Sequence, residues 1–233
     1  MPALDELLDY VFDGKKPALY PELATWARDS RRFRAFATVN RDKIRAKLRN
    51  VHDEGELNDF RAELEAAMLL LRDDRFTLEY ERYAVAKRRG PDYTVTFRTH
   101  TPFNVEVRRI RTAEPEDRTA EARVGKLVTV LCEKARQMPP STVNLLWLSA
   151  EREIVEGDLI SAAITLRQLA ESKAEAFFAR RGFESAADFL KQYRQLSGIV
   201  LRQSGRATAW LNPLARHRVP SEIVTAIKRL AAV

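Results

Sequence analysis

The sequence predicts an α/β protein built on a mixed sheet, and three stretches carry that prediction. Residues 56–72 repeat apolar side chains at helical spacing, with Leu57, Phe60, Leu64, Ala67, Met68 and Leu71 along one face. Residues 75–86 alternate as a strand, and Gly90 to Arg108 reads as two further alternating segments joined by a polar turn. A long helical stretch from Glu116 to Met138 then leads to Val143-Asn-Leu-Leu-Trp-Leu-Ser, a continuous apolar run of the kind a strand shows when both its faces are covered. Helix, three strands, helix, strand is an antiparallel meander followed by a right-handed parallel crossover, and so a mixed sheet.

In chain order, residues 3–13 and 18–50 read as helical, with Leu4, Leu7, Leu8 and Val11, then Leu23, Trp26, Phe33 and Phe36 at spacings of three and four. They are expected to form a helical N-terminal appendage over residues 1–54. Its second half is dense in cations (Arg28, Arg31, Arg32, Arg34, Arg41, Lys43, Arg45, Lys47, Arg49), which could follow a phosphate backbone or could each form a solvated face. Asp53-Glu54-Gly55 breaks the pattern before the core, residues 55–150. Lys87-Arg88-Arg89-Gly90-Pro91 makes the turn after the first strand, and Pro139-Pro140 ends the crossover helix. Residues 151–233 are expected to pack on the core. They comprise helices over 155–180 and 184–195, divided near Arg181-Gly182, and a short hairpin around Ser204-Gly205 stopped by Asn212-Pro213. A last helix runs from Pro220-Ser221-Glu222 to about Leu230.

Bulk numbers narrow the function classes. The 233 residues are 45% hydrophobic, enough for a sizeable core. The charged fraction of 31% interleaves both signs with a net charge of +7, which favours anionic partners. One cysteine, Cys132, excludes an internal disulfide and a cysteine zinc knuckle, and its apolar helical position predicts burial. No basic segment followed by an apolar run opens the chain, and the longest apolar runs are too short for a bilayer, so a cytoplasmic protein with no membrane partner is expected. His52, His100 and His217 show no ligand or triad spacing, and no Gly-rich phosphate loop occurs.

Chemistry concentrates between Gly90 and Arg108. Pro91-Asp92 begins one strand. Glu106 and Arg108, two apart on the next, share a face. Paired as a hairpin, these segments gather two carboxylates and a guanidinium at one edge of the sheet. On the preceding helix Glu63 lies at the margin of the apolar stripe and can reach inward, whereas Glu65 lies further towards solvent. Read without function, Asp92 closes a turn, Glu106 pairs with Arg108 or Arg109, and Glu63 is a surface carboxylate.

Pro91-Asp92, then a strand with Glu106-Val107-Arg108, resembles the PD-(D/E)xK nuclease superfamily. The helix bearing Glu63, with Ala66 and Leu70 at later turns, resembles the family's helix before the first core strand. The resemblance covers residues 56–149 and implies a restriction-endonuclease-like core. It implies a Mg²⁺ or Mn²⁺ site at Asp92 and Glu106, with the Val107 carbonyl and Glu63 as further ligands. It also implies hydrolysis of phosphodiester bonds, with DNA before RNA as partner, and leaves room for a homodimer. The catalytic set would be Glu63, Asp92, Glu106 and Arg108.

Arg108 stands where the family has Lys. Its planar fork grips phosphate, but it does not lose its proton and cannot serve as a base. A lysine from elsewhere, Lys87 or Lys126, would restore that function. Two functions remain open at this point: a Mg²⁺-dependent nuclease, and a non-catalytic module that keeps the fold and its basic surface for nucleic acid or a protein partner.

Overall fold

The computed structural model describes residues 3–83, 90–111, 119–150 and 154–231. The chain begins with α1 (Leu4–Phe12), α2 (Tyr20–Asp29), α3 (Arg31–Val39) and α4 (Arg41–Arg49), so the helical stretch expected over 18–50 is three helices. Ser30 makes the first break: its backbone is extended and its hydroxyl accepts from the Phe33 N–H, as a helix N-cap does. Asn40 makes the second, with its side-chain amide donating to the Phe36 carbonyl at 2.8 Å.

The core follows in the expected order: α5 (Glu54–Leu70), β1 (Phe76–Tyr80), β2 (Tyr93–Phe97), β3 (Thr101–Ile110), α6 (Ala120–Ala135) and β4 (Val143–Ala150). Asp53 caps α5 by accepting from the Glu56 N–H at 2.7 Å, so the helix starts earlier than its apolar stripe. The first strand stops at Tyr80 rather than 86. Residues 84–86 of that expectation, and Lys87 with them, lie outside the described residues.

The chain continues through α7 (Glu156–Glu171), α8 (Glu175–Ala179), α9 (Ala186–Tyr193), β5 (Gly198–Gln203), β6 (Arg206–Leu211) and α10 (Ser221–Ala231). The helix expected over 155–180 is therefore two. Lys173 adopts φ 53° and the Ala174 N–H reaches back to the Leu169 carbonyl at 2.9 Å, the hydrogen bond that closes a left-handed C-cap. Ser204 and Gly205, at φ 46° and 72°, form the two-residue turn between β5 and β6, whose twist suits a hairpin.

Among the described residues, ten helices surround one open, mixed sheet of six strands in the order β1-β2-β3-β4-β5-β6. The β3–β4 and β4–β5 pairs are parallel and the others antiparallel. Side chains alternate along β4 as the apolar run requires. Leu145 and Trp147 enter a cluster built with α1 to α5 and α10, and Leu146 and Leu148 enter a second built with α6 to α9. Apolar residues from Leu7 to Ile44 share the first cluster with α5 and the sheet, so the N-terminal helices cover one sheet face. Cys132 is buried in the second. No helix among the described residues is long and apolar enough to cross a membrane.

Candidate active site at the open end of the sheet

The last β2–β3 pair is Tyr93 with Val105, so β3 runs on past the start of β2 with that edge unpaired among the described residues. Continuing the register by two sets Pro91 against Val107. Asp92 fills the gap, its Oδ2 accepting from the Val107 N–H at 2.8 Å while its carbonyl accepts from Glu81 N–H at 2.8 Å. The Val107 carbonyl points to the same edge as the Val107 N–H, as both groups of one strand residue do. Pro91 has no N–H with which to meet it. The Pro-Asp dipeptide thus does two things: it ends the ladder and leaves a backbone oxygen beside the Asp92 carboxylate.

Glu106 and Arg108 share the face towards α6, whereas Val105 and Val107 enter the cluster on the opposite face. Glu106 is 5% exposed, and its Oε1 accepts from the Lys134 ammonium of α6, which also donates to Gln137 Oε1 at 3.2 Å. Glu106 Oε2 is buried and, among the described residues, has no hydrogen-bond donor. A buried carboxylate oxygen without a donor is uncommon and calls for a ligand or a functional reason.

Glu63 approaches from α5, on the other side of the sheet. Its Oε2 accepts from Lys47 Nζ at 2.7 Å and from the Tyr80 hydroxyl at 3.1 Å, and the Tyr93 hydroxyl binds the Glu63 carbonyl at 2.9 Å. Lys47 also pairs with Glu81 at 2.9 Å. Glu65 turns elsewhere and pairs with Arg202 of β5 at 2.9 Å, so Glu63 is the helix carboxylate that reaches this end of the sheet.

The electrostatics show how close these groups lie. Burial, and then repulsion from Asp92, raise the Glu63 carboxyl to about 7 against the pull of Lys47 and Tyr80. Burial and the Glu106 charge raise Asp92 to about 7, opposed by the Val107 N–H and by both lysines. Glu106 is raised by burial and by Glu63, with Lys134 and, more weakly, the Asp92 N–H opposing. For Lys47, burial works against the charge, but the Glu63 carboxylate outweighs it and the ammonium is held well above its ordinary value. Three carboxylates that repel one another, threaded by two ammonium groups, form a perturbed cluster of the kind that active sites produce.

Among the described residues, no group of three or more His, Cys, Asp or Glu side chains is arranged to hold a metal ion, so Glu63, Asp92 and Glu106 do not form a ready-made cage. The donor chemistry nevertheless fits a hard cation. Mg²⁺ takes one or two carboxylates and fills the rest of its shell with water and substrate oxygens. Asp92, the second Glu106 oxygen and the Val107 carbonyl would be the donors of such a set.

The remaining expectations divide. Arg108 does not pair with Glu106 in the described contacts; it lines a groove with Arg111, Lys126 and Thr129, and its Nε is buried with no partner among the described residues. Arg109 turns to the opposite face and pairs with Asp59 at 2.8 Å. Lys126 donates to the Arg111 carbonyl at 2.7 Å. Among the N-terminal cations, Arg32 donates to the carbonyls of Leu71, Asp73 and Phe76, Lys43 to that of Tyr80, and Arg45 and Arg49 bind Asp13. These four hold the fold together.

Sequence reading missed Lys134, and it set Lys47 among the cations that could follow a phosphate backbone rather than beside Glu63. Both had a legible signal: Lys134 follows Leu127 and Leu131 along the buried stripe of α6, and Lys47 follows buried Ile44 by three on α4. A lysine on an apolar stripe needs an acceptor inside. No protein-family model, curated protein or solved structure matches the chain.

Proposed function

We propose that the protein is a Mg²⁺-dependent nuclease of the PD-(D/E)xK kind, hydrolysing DNA in preference to RNA, with Lys134 doing the work of the motif lysine. The observation that carries this reading is the pair of Glu106 oxygens: one is engaged by Lys134, and the other is buried with no full hydrogen bond among the described residues, on a carboxylate whose charge acts on Asp92. The order of α5 to β4 and the mixed pairing of β1 to β4 agree with a restriction-endonuclease-like core.

Asp92, Glu106 and the Val107 carbonyl would hold the ion. When bound, a divalent ion supplies a more acidic water and neutralises charge on phosphoryl oxygens. The chain's own groups do the rest. Lys134, bound to Glu106, would donate to an oxygen of the reacting phosphate. Glu63, whose carboxyl is raised to about 7, would hold a proton from the attacking water. Arg108, unengaged at Nε, would grip a neighbouring phosphate, a contact its fork suits.

A second reading rests on one specific feature. Lys47 and Lys134 already sit on two of the carboxylates, an internally compensated cluster that a non-catalytic nucleic-acid-binding module could keep for structure. Calorimetric titration of Mg²⁺ and Mn²⁺ into the wild type and Asp92→Ala, followed by plasmid and oligonucleotide cleavage, separates the two. Metal binding that depends on Asp92, with metal-dependent cleavage, supports the nuclease. Neither binding nor cleavage in a folded sample leaves the module.

A further inference from the structure

Two concavities meet on the exposed ridge of α6. The first is walled by Arg108, Arg111 and Lys126, and the second by Arg136, Arg180 and Arg181; Thr129 and Glu133 line both, so the two form one continuous groove. It begins at Arg108, two residues from Glu106, and follows a helix of 16 residues, about 24 Å at 1.5 Å per residue. Among the described residues that line it, Glu133 is the one acid.

Its far end has a distinct chemistry. The Arg181 guanidinium lies over the Phe177 ring at 3.6 Å from the centroid, and Arg136 lies over Phe183 at 5.8 Å. Packing on the ring and a bond from Arg181 to the Phe177 carbonyl fix that guanidinium plane. A fixed planar cation stacks on the face of an unpaired base, whereas a duplex hides its base faces. Grooves with cations alone, such as that of Lys191, Arg194 and Arg216, lack this element.

We infer that the α6 groove binds a single-stranded segment of nucleic acid leaving the candidate active site, with phosphates along Arg108, Lys126, Arg136 and Arg180 and a base stacked on Arg181. This rests on the nuclease reading for its direction and defines the substrate as a junction between duplex and single strand, or a flap.

The test is fluorescence anisotropy in EDTA with a blunt duplex and the same duplex carrying a single-stranded tail. The tail is expected to tighten wild-type binding about tenfold, as one stacked base and a few phosphate contacts would. Arg180→Glu, at an exposed position, is expected to abolish that gain and leave blunt-duplex binding within about twofold. Glu133→Gln is expected to tighten tailed binding about twofold, an outcome misfolding cannot mimic.

A tail that adds nothing, no gain from Glu133→Gln, or an equal loss from Arg194→Glu in the other groove would overturn the inference. The two readings fail separately because binding is measured without metal. A protein that holds the tail but never cleaves with Mg²⁺ loses the nuclease and keeps the groove. One that cleaves blunt duplex and ignores the tail does the reverse.

Discussion

Two buried polar clusters sit one pleat apart on the same face of β3, and they are resolved in opposite ways. At Asn104 the side chains are neutral and every group is matched: the amide donates to Asn144 Oδ1 at 2.9 Å, and its oxygen accepts from Thr94 at 3.1 Å. Asn144 in turn donates to the Pro139 and Gln195 carbonyls at 2.9 Å, and its backbone N–H meets Ser197 Oγ at 3.0 Å. At Glu106 the groups are charged, like charges adjoin, and one oxygen has no full hydrogen bond among the described residues. A satisfied network fixes loops against strands. An unsatisfied one is kept against its electrostatic cost, and that difference locates the candidate site independently of any motif.

The comparison breaks first at Asp92. Asp92→Asn keeps the shape and, under the nuclease proposal, removes a metal-binding charge, so cleavage should fall by about three orders of magnitude, or about 4 kcal/mol of transition-state stabilisation, in a single-turnover assay. Thermal stability at pH 8 should hold or rise, because the substitution removes repulsion. Activity that survives would place the chemistry elsewhere.

Asn144→Ala should do the converse. It leaves the buried carbonyls of Pro139 and Gln195 without donors, and unfolding in urea should show a loss of about 3 kcal/mol. Cleavage per folded molecule should change less than twofold, roughly the scatter expected of a residue outside the site. Lys134→Met then asks which cation serves the reaction. A loss of about a hundredfold in kcat, with Arg108→Ala costing about tenfold or less, would assign the role to α6. The reverse order would return it to Arg108.

Much of this frame was legible in the sequence because period and punctuation report local structure. The two-sided apolar run of β4, the alternation of β3 and the Pro91-Asp92 break each have one local cause. The helix breaks at Ser30, Asn40 and Lys173 were not read, since the caps that make them compete weakly with a continuing apolar period. At the site, Asp92 and Glu106 could be paired from strand register, and Glu63 from its angle on the helix. Lys134 and Lys47 could not, because their partners lie 28 and 16 residues away and only packing brings them together. The cationic N-terminal helices misled for the same reason: charge density is visible in a sequence, but the carbonyls that absorb Arg32 and Lys43 are not.

The smallest effect is also the most direct reading of the electrostatic stress. In the folded protein Glu63 and Asp92 titrate near 7, whereas in an unfolded chain each titrates near 4. Between those values the folded state binds more protons than the unfolded one, so stability is fully present below pH 4 and is lost as pH rises through about 7. Metal-free protein should therefore lose on the order of 1 kcal/mol for each of the two groups between pH 6 and pH 8 in urea titrations. Glu63→Gln, which removes one of the two charges and eases the other, should flatten that fall. Saturating Mg²⁺ should flatten it too, because the ion binds only the deprotonated carboxylates and holds them ionised at no further cost. A slope unaffected by Mg²⁺ but removed by Glu63→Gln would mean that the cluster is strained for a reason other than a cation, and would favour the compensated, non-catalytic arrangement of Lys47 and Lys134.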